Sequence, residues 1–355
     1  MPVVIQPAGR FEWEPKRLLL VLPSWVGDLV MATPLLRAMR QRFPRAHIAA
    51  LVRQNLMDLL SGGDWIDEIV PWSTVFQTAC ALRTAKYDTA MLLPNSFRTA
   101  LTVCLARIPR RIGYDRDGRW WLLTDRLRAP DSDRPVRMVE YYGAIAEFVG
   151  SAPPGDRLEL FTDSGSEAAI EQRLGRVGFN DSQPLVVISP GASFGSSKLW
   201  LPERFAEVGD RLAEEFGAAV AVTCAAGEEP IARRVADQMR RCAWVFDEPV
   251  CSLGEFKALV RRCDLLINND TGPRHIAKAF NAPVVTVFGS TDPRWTDTSY
   301  RWERQVRIDV DCGPCQQKTC PLGHHKCMTG VTVEMVVDAC RALLRQRVTG
   351  GHVYQ

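Results

Sequence analysis

Asp264-Leu-Leu-Ile-Asn-Asn-Asp270-Thr271-Gly272-Pro273-Arg274-His275-Ile276-Ala277-Lys278-Ala279-Phe280 is the stretch that decides the fold. Leu265 to Ile267 is a short apolar run and reads as a buried strand. Asn268 to Thr271 is a polar turn. Gly272-Pro273 opens a helix, with proline early, where its missing N–H costs little. Asn281-Ala-Pro283 ends that helix, and Val284 to Phe288 is a second strand of β-branched and aromatic residues. Strand, turn, helix, strand is the βαβ unit of a parallel sheet. A helix opening at Gly272 aims free backbone N–H groups and a positive dipole end at whatever lies before it, which suits a phosphate. Thr271 adds a hydroxyl, Gly272 allows close approach, and His275 falls on the first helical turn. The bland alternatives are that Asp270 or Thr271 only caps the helix and that His275 only packs. The local pattern leaves both readings open.

Working back from this unit, the second half of the chain repeats its alternation. Leu185 to Ser189 is a strand. Pro190-Gly191-Ala-Ser193-Phe-Gly195-Ser196-Ser197-Lys198 is a small-residue loop, and Pro202 to Phe216 is a helix. Ala218 to Cys224 is a strand, and Glu229 to Arg240 a helix. The loop 190–198 lacks the Gly-x4-Gly-Lys-Ser/Thr spacing of a Walker loop. Its small residues and terminal Lys198 suit a phosphate, and a flexible surface loop is the alternative. Gly227-Glu228-Glu229 follows a strand end, where a carboxylate binds ribose hydroxyls in dinucleotide folds; a helix first turn rich in Glu reads the same way. Three strand ends, 190–198, 224–229 and 268–272, therefore converge on one side of a sheet, an argument for a nucleotide cleft.

The first half has an independent start. Arg17 to Leu22 is a buried strand, Pro23-Ser-Trp-Val-Gly27-Asp28 a loop and Leu29 to Arg42 an amphipathic helix, which places Gly27 and Asp28 at a strand's carboxyl end. An N-cap is the alternative for Asp28. Strands follow at His47 to Val52, Glu68 to Val70 and Thr89 to Leu93, the last ending in Pro94-Asn95-Ser96-Phe97-Arg98. Arg110 to Tyr114 reads as an edge of this sheet. Residues 115–134 form a charged loop in which Asp and Arg alternate, able to meet an anionic substrate or simply to be solvated. Domains are expected at 17–178 and 179–345, with a leader over 1–16 and a tail over 346–355. The halves share no sequence repeat, only an architecture.

Length and composition agree with two soluble domains: 355 residues, 24% charged, 46% hydrophobic. A net charge of +3 gives no argument for nucleic acid. No apolar run reaches the roughly 18–20 residues of a membrane span, and Leu18 to Pro23 is too short for a signal core. The expected location is the cytoplasm, with peripheral membrane contact. Eleven Cys, an odd number, argue for reduced thiols rather than a disulfide framework. Cys312, Cys315, Cys320 and Cys327, with His324 and His325 among them, admit two readings: a structural Zn2+ held by four thiolates, or free thiols. Asp115-x-Asp117, Asp131-x-Asp133 and Asp309-x-Asp311 are acidic pairs too short to carry meaning, so no catalytic Mg2+ is inferred.

Five blocks in this order resemble the lipopolysaccharide heptosyltransferases of glycosyltransferase family 9. They are Pro23-Ser-Trp-Val-Gly27-Asp28; Pro190-Gly-Ala-Ser193-x4-Lys198-Leu-Trp200; Gly227-Glu228; Asn269-Asp270-Thr271-Gly272-x2-His275; and Cys312-Gly-Pro-Cys315-x4-Cys320-Pro-Leu-Gly-His324-His325-Lys-Cys327-Met. The cysteine block is closer to the heptosyltransferase II branch than to the I branch. The resemblance implies an α/β fold of GT-B type, two doubly wound Rossmann-like domains facing across a cleft. It implies a metal-independent, inverting transfer of heptose from ADP-heptose to the lipid A–Kdo inner core, with no cofactor required. It implies Asp28 as catalytic base and Lys198, Glu228, Thr271, Gly272 and His275 on the donor. Ser193 and Asp270 are expected with them on the donor, and Gly27, Asn95 and Arg98, near strand ends of the first half, on the acceptor side. Cys224-Ala-Ala226 and Pro273-Arg274 depart from the family's usual residues. A nucleotide-sugar epimerase and a non-catalytic nucleotide-binding protein are the alternatives on the same fold.

Overall fold

A computed structural model describes residues 14–130 and 134–350, with side chains described to residue 346. The expected leader over 1–16 lies almost wholly outside the described residues, as do Asp131 and Asp133. The chain divides into two compact units. One ends at Phe161 and takes in Arg294–Ser299; the other comprises Thr162–Pro293 and the chain from Tyr300 onward.

The first unit holds β1 (Arg17–Val21), β2 (His47–Arg53), β3 (Glu68–Trp72), β4 (Thr89–Leu92), β5 (Arg110–Tyr114) and β6 (Asp125–Leu127). All pair in parallel, in the order β3-β2-β1-β4-β5-β6. Its helices are α1 (Val26–Met31), α2 (Thr33–Arg42), α3 (Val75–Ala85), α4 (Phe97–Leu105) and α5 (Met138–Phe148). Leu18, Leu19 and Leu20 are all buried, as a strand covered on both faces requires.

The second unit holds α6 (Ser164–Arg176), β7 (Leu185–Ser189), α7 (Pro202–Phe216), β8 (Ala219–Thr223), α8 (Glu229–Gln238), β9 (Ala243–Phe246), α9 (Leu253–Arg262), β10 (Leu265–Asn269), α10 (Gly272–Ala279), β11 (Val284–Val287), β12 (Glu303–Val306), α11 (Lys326–Thr329) and α12 (Val333–Gly350). Its strands, also parallel, run β12-β11-β10-β7-β8-β9. Read from the other edge this is the strand order of the first unit. Each sheet thus reverses direction between its first and fourth strands, the place where open α/β sheets bind ligands. With two doubly wound parallel sheets, the fold is GT-B. Among the described residues no helix is long and apolar enough to cross a membrane.

Three local features differ from the sequence expectation. The helix expected from Leu29 starts at Val26 and breaks at Ala32. Pro34 has no N–H for the Val30 carbonyl, and Thr33 Oγ1 donates to it instead at 2.8 Å. Gly27 and Asp28 therefore sit in the first turn of α1, not in the loop before it. Arg110–Tyr114 is not the edge of its sheet: β6 lies outside it, held by an Arg110–Asp125 ion pair of 2.7 Å. The strand β12, Glu-Arg-Gln-Val, escaped notice because its residues do not alternate apolar with polar.

Candidate active site

In the first unit Asp28 projects from α1, past the end of β1. The cap of α1 is Trp25 and uses no side-chain bond, so Asp28 is not the helix cap. Tyr142 of α5 donates from its hydroxyl to Asp28 Oδ1 at 3.5 Å. Burial, and then the Asp28 charge, push the Tyr142 hydroxyl well above its usual pKa, so it keeps its proton and donates. Nothing in the sequence pattern marked this residue, 114 positions away. Gly27, one position before Asp28, leaves that turn without a side chain.

Asn95 lies past the end of β4, the neighbour of β1. Its amide donates to Tyr141 Oη at 2.9 Å, and the hydroxyl donates back to Asn95 Oδ1 at 3.0 Å. Arg119, fully buried, donates to the same oxygen at 3.3 Å, to the Tyr114 carbonyl at 2.9 Å and to the Pro94 carbonyl. Burial pulls the Arg119 pKa down to about 10, still leaving it charged at neutral pH. Arg98 does not join this cluster; its guanidinium lies 5.4 Å from the Trp72 ring centre.

In the second unit the loops after β7, β8 and β10 are tied together. Asn269 Nδ2 donates to the Pro190 carbonyl at 2.7 Å, and its Oδ1 accepts from Trp200 N at 3.1 Å. Glu228 accepts from Ala225 N at 3.2 Å, and its carboxylate sits where a side chain on Gly191 would be. Residue 191 is glycine for that reason. Burial raises the Glu228 pKa. Glu228 occupies the cap position of α8 without making a cap bond, so its carboxylate serves the loops instead. Ser193 is exposed at the tip of the β7 loop.

Below these loops lies a buried ionic cluster. Lys198 Nζ lies 2.8 Å from Asp270 Oδ2, Arg274 lies 3.0 Å from Asp270 Oδ1, and Thr291 Oγ1 donates to Asp270 at 2.6 Å. Arg274 also pairs with Glu303, which Lys278 meets at 2.8 Å. Burial opposes ionisation of Asp270, yet the charges of Arg274 and Lys198 prevail and hold it far below the usual carboxylate range. Lys198, Arg274 and Lys278 face Asp270 and Glu303, and Lys198 is the member at the rim. Asp270 thus holds the lysine in place. Arg274 is the hub of this cluster, and its spacing of four from Asp270 was the available signal.

Thr271 is the cap of α10 but makes no side-chain cap bond; its hydroxyl donates to the Asn269 carbonyl at 3.2 Å. The capping alternative therefore fails, and no side chain of Thr271 covers the helix start at Gly272. His275 is buried, and its Nδ1 has no hydrogen-bond partner among the described residues. Burial, then the Arg274 and Lys278 charges, push its pKa well below the usual imidazole value, so the ring is neutral.

Cys312, Cys315, Cys320 and Cys327 line one small cavity with His324 and His325. All four thiols are free, and Cys312 Sγ lies 3.9 Å from His324 Nε2. Among the described residues no three His, Cys, Asp or Glu side chains are arranged to hold a metal ion, so the geometry lends the zinc reading no support. The contribution visible here is mechanical. Ser197 N donates to the Lys318 carbonyl at 3.1 Å, Ser197 Oγ meets Ser290 Oγ at 3.0 Å, and a side chain on Gly195 would strike Lys318. The cysteine segment thereby braces the loop that carries Lys198.

The model of glycosyltransferase family 9 (heptosyltransferase) matches residues 75–326. The chain belongs to glycosyltransferase family 9. Lipopolysaccharide heptosyltransferase 2 of Escherichia coli (strain K12) is 28% identical over 347 residues, covering 93% of this chain and 99% of that one. The solved structure of E. coli ADP-heptose lps heptosyltransferase II superposes with a TM-score of 0.78 at 27% identity, again covering 93% and 99%. A family 9 glycosyl transferase from Veillonella parvula reaches a TM-score of 0.80 at 21% identity and speaks for the fold alone. As a family 9 member the chain is a glycosyltransferase, and its relatives of heptosyltransferase II type accord with the branch that the cysteine block suggested.

Proposed function

We propose that this chain transfers heptose from ADP-heptose to the inner core of lipopolysaccharide, on a lipid A–Kdo acceptor, in one inverting step without a metal. The observation that carries the reading is the pairing of chemistries at two equivalent places: a carboxylate after β1, and a cation with uncapped helix N–H groups after β7 and β10. The names of the relatives supply the sugar and the core. In this scheme Asp28 takes the proton from an acceptor hydroxyl while its oxygen bonds to the anomeric carbon. The bond from that carbon to the donor phosphate breaks, and ADP leaves with added negative charge. Lys198 and the start of α10 offset that charge, and neutral His275 packs behind them. Glu228 takes the ribose hydroxyls, Ser193 and Thr271 the pyrophosphate, with Asp270 holding Lys198. Gly27, Asn95 and Arg98 take the acceptor side. The step occurs at the cytoplasmic face of the inner membrane.

The test is turnover of ADP-heptose with and without a core acceptor. ADP release only with acceptor supports transfer. Conversion of the donor without acceptor means epimerisation, and no turnover in either arm means a binding protein; both overturn the reading.

A further inference from the structure

The first unit carries an exposed aromatic surface that the chemistry above does not use. Trp120 and Trp121, in a short turn of helix after β5, are 56% and 58% exposed. Phe97 and Leu105 of α4 are 40% and 39% exposed. With Leu101 they form a stripe at helical spacing, and Phe97 meets Trp121 at 6.0 Å between ring centres. Isolated exposed apolar residues need no explanation, but a cluster of large aromatics does.

The surroundings say what would cover it. Residues 95–130 hold eight Arg against three Asp, with no Lys and no Glu, a larger excess than the +3 of the whole chain. Arg126 lies 5.8 Å from the Trp120 ring centre, and Arg98 follows Phe97 directly. Arg98, Arg107 and Arg126 are exposed and form no ion pair among the described residues. Asp125 is engaged by Arg110, while Asp115 accepts from Ala129 N and stays exposed with Asp117. Tryptophan with arginine is the pairing that favours the boundary between lipid headgroups and acyl chains: the rings sit at headgroup level and the cations meet anionic lipid.

The patch also adjoins the proposed acceptor side. Phe97 lies two residues past Asn95. Asn95 bonds Tyr141, whose ring packs edge-on against Tyr142 at 6.0 Å, and Tyr142 donates to Asp28. We infer that Trp120, Trp121, Phe97 and the arginines around them dock this enzyme on an anionic phospholipid surface, so that a lipid-anchored acceptor is offered to Asp28 from the membrane. This rests on the proposed lipid-linked acceptor for its purpose, but not for its test.

The test is co-sedimentation of the full chain with vesicles of phosphatidylglycerol mixed with phosphatidylcholine, and with vesicles of phosphatidylcholine alone. The wild type is expected to bind the anionic vesicles, to release them at high salt, and to ignore the zwitterionic ones. The double variant Trp120→Ser/Trp121→Ser is expected to lose vesicle binding by about tenfold or more, as removal of two interfacial aromatic anchors implies. Its turnover of a delipidated core oligosaccharide should stay unchanged. The single exposed change Arg126→Glu provides a second variant whose folding is not in question, and it should weaken anionic binding alone. Equal partition of wild type and variants, or binding indifferent to lipid charge, overturns the inference. So does a wild-type dimer, seen without vesicles, that the tryptophan variants abolish, because the patch then serves a second copy. Vesicle binding is read without donor or acceptor, so failure of the heptosyl assignment leaves this result standing, and the reverse.

Discussion

In the first unit the chain past β1 carries Asp28; in the second the chain past β7, at the same place in an identically ordered sheet, ends in Lys198. The two positions are built differently. Asp28 is half-exposed and takes a bond of 3.5 Å from Tyr142. Lys198 is clamped to a nearly buried Asp270 that Arg274 and Thr291 also hold. A group that must accept a proton needs access and a small barrier to changing charge. A group that must bind phosphate every cycle needs a fixed place. The same topology thus carries a partly exposed carboxylate, the proposed base, in one unit and a buried electrostatic frame in the other.

Three substitutions probe that contrast, the strongest first. Asp28→Asn keeps the size and the Tyr142 contact but removes the base. Turnover should fall by about 10²–10⁴-fold while ADP-heptose affinity, measured by calorimetry, stays near the wild-type value. Near-normal turnover would remove Asp28 from the chemistry and dissolve the contrast. Arg274→Met leaves Asp270 and Glu303 short of their shared buried cation. It should cost about 3–5 kcal/mol of unfolding free energy in a denaturant titration, the usual result of removing one partner from a buried ion pair. A stability within error of the wild type would mean that the frame is not the rigid element described. Gly191→Ala is the finest probe. The added methyl must displace the Glu228 carboxylate, a flexible side-chain end, so the fold should hold. Donor affinity should drop by about tenfold, the size of one lost charged hydrogen bond. A large drop in melting temperature instead would assign Glu228 to stability rather than to the donor.

Much of this was legible in the chain. The apolar runs at 18–20 and 265–267 read as strands covered on both faces, and the turns after them read as ligand ends. The segment 264–288 reads as βαβ because each part has its own period. By contrast, the first turn of α1, residues 26–28, reads as loop, since a Gly-Asp pair marks no helical period and only what the turn packs on makes it helical. The strand β6 was hidden among charges because its pairing with β5, not its composition, makes it a strand. The cysteine block suggested a metal by spacing, but spacing along the chain does not set the directions of four thiols.

Sequence alone determined the alternation of strands and helices, the two halves, the family blocks and the residue types at the strand ends, because those depend on periodicity and on neighbours a few positions apart. Tertiary structure decided that Tyr142 orients Asp28, that Arg274 joins Asp270 to Glu303, that Glu228 requires glycine at 191, and that Trp121 meets Phe97 on an open arginine-rich face. Apart from Arg274 and Asp270, four positions apart, those contacts join residues distant in the chain, and their strength comes from burial and distance, which no local pattern encodes.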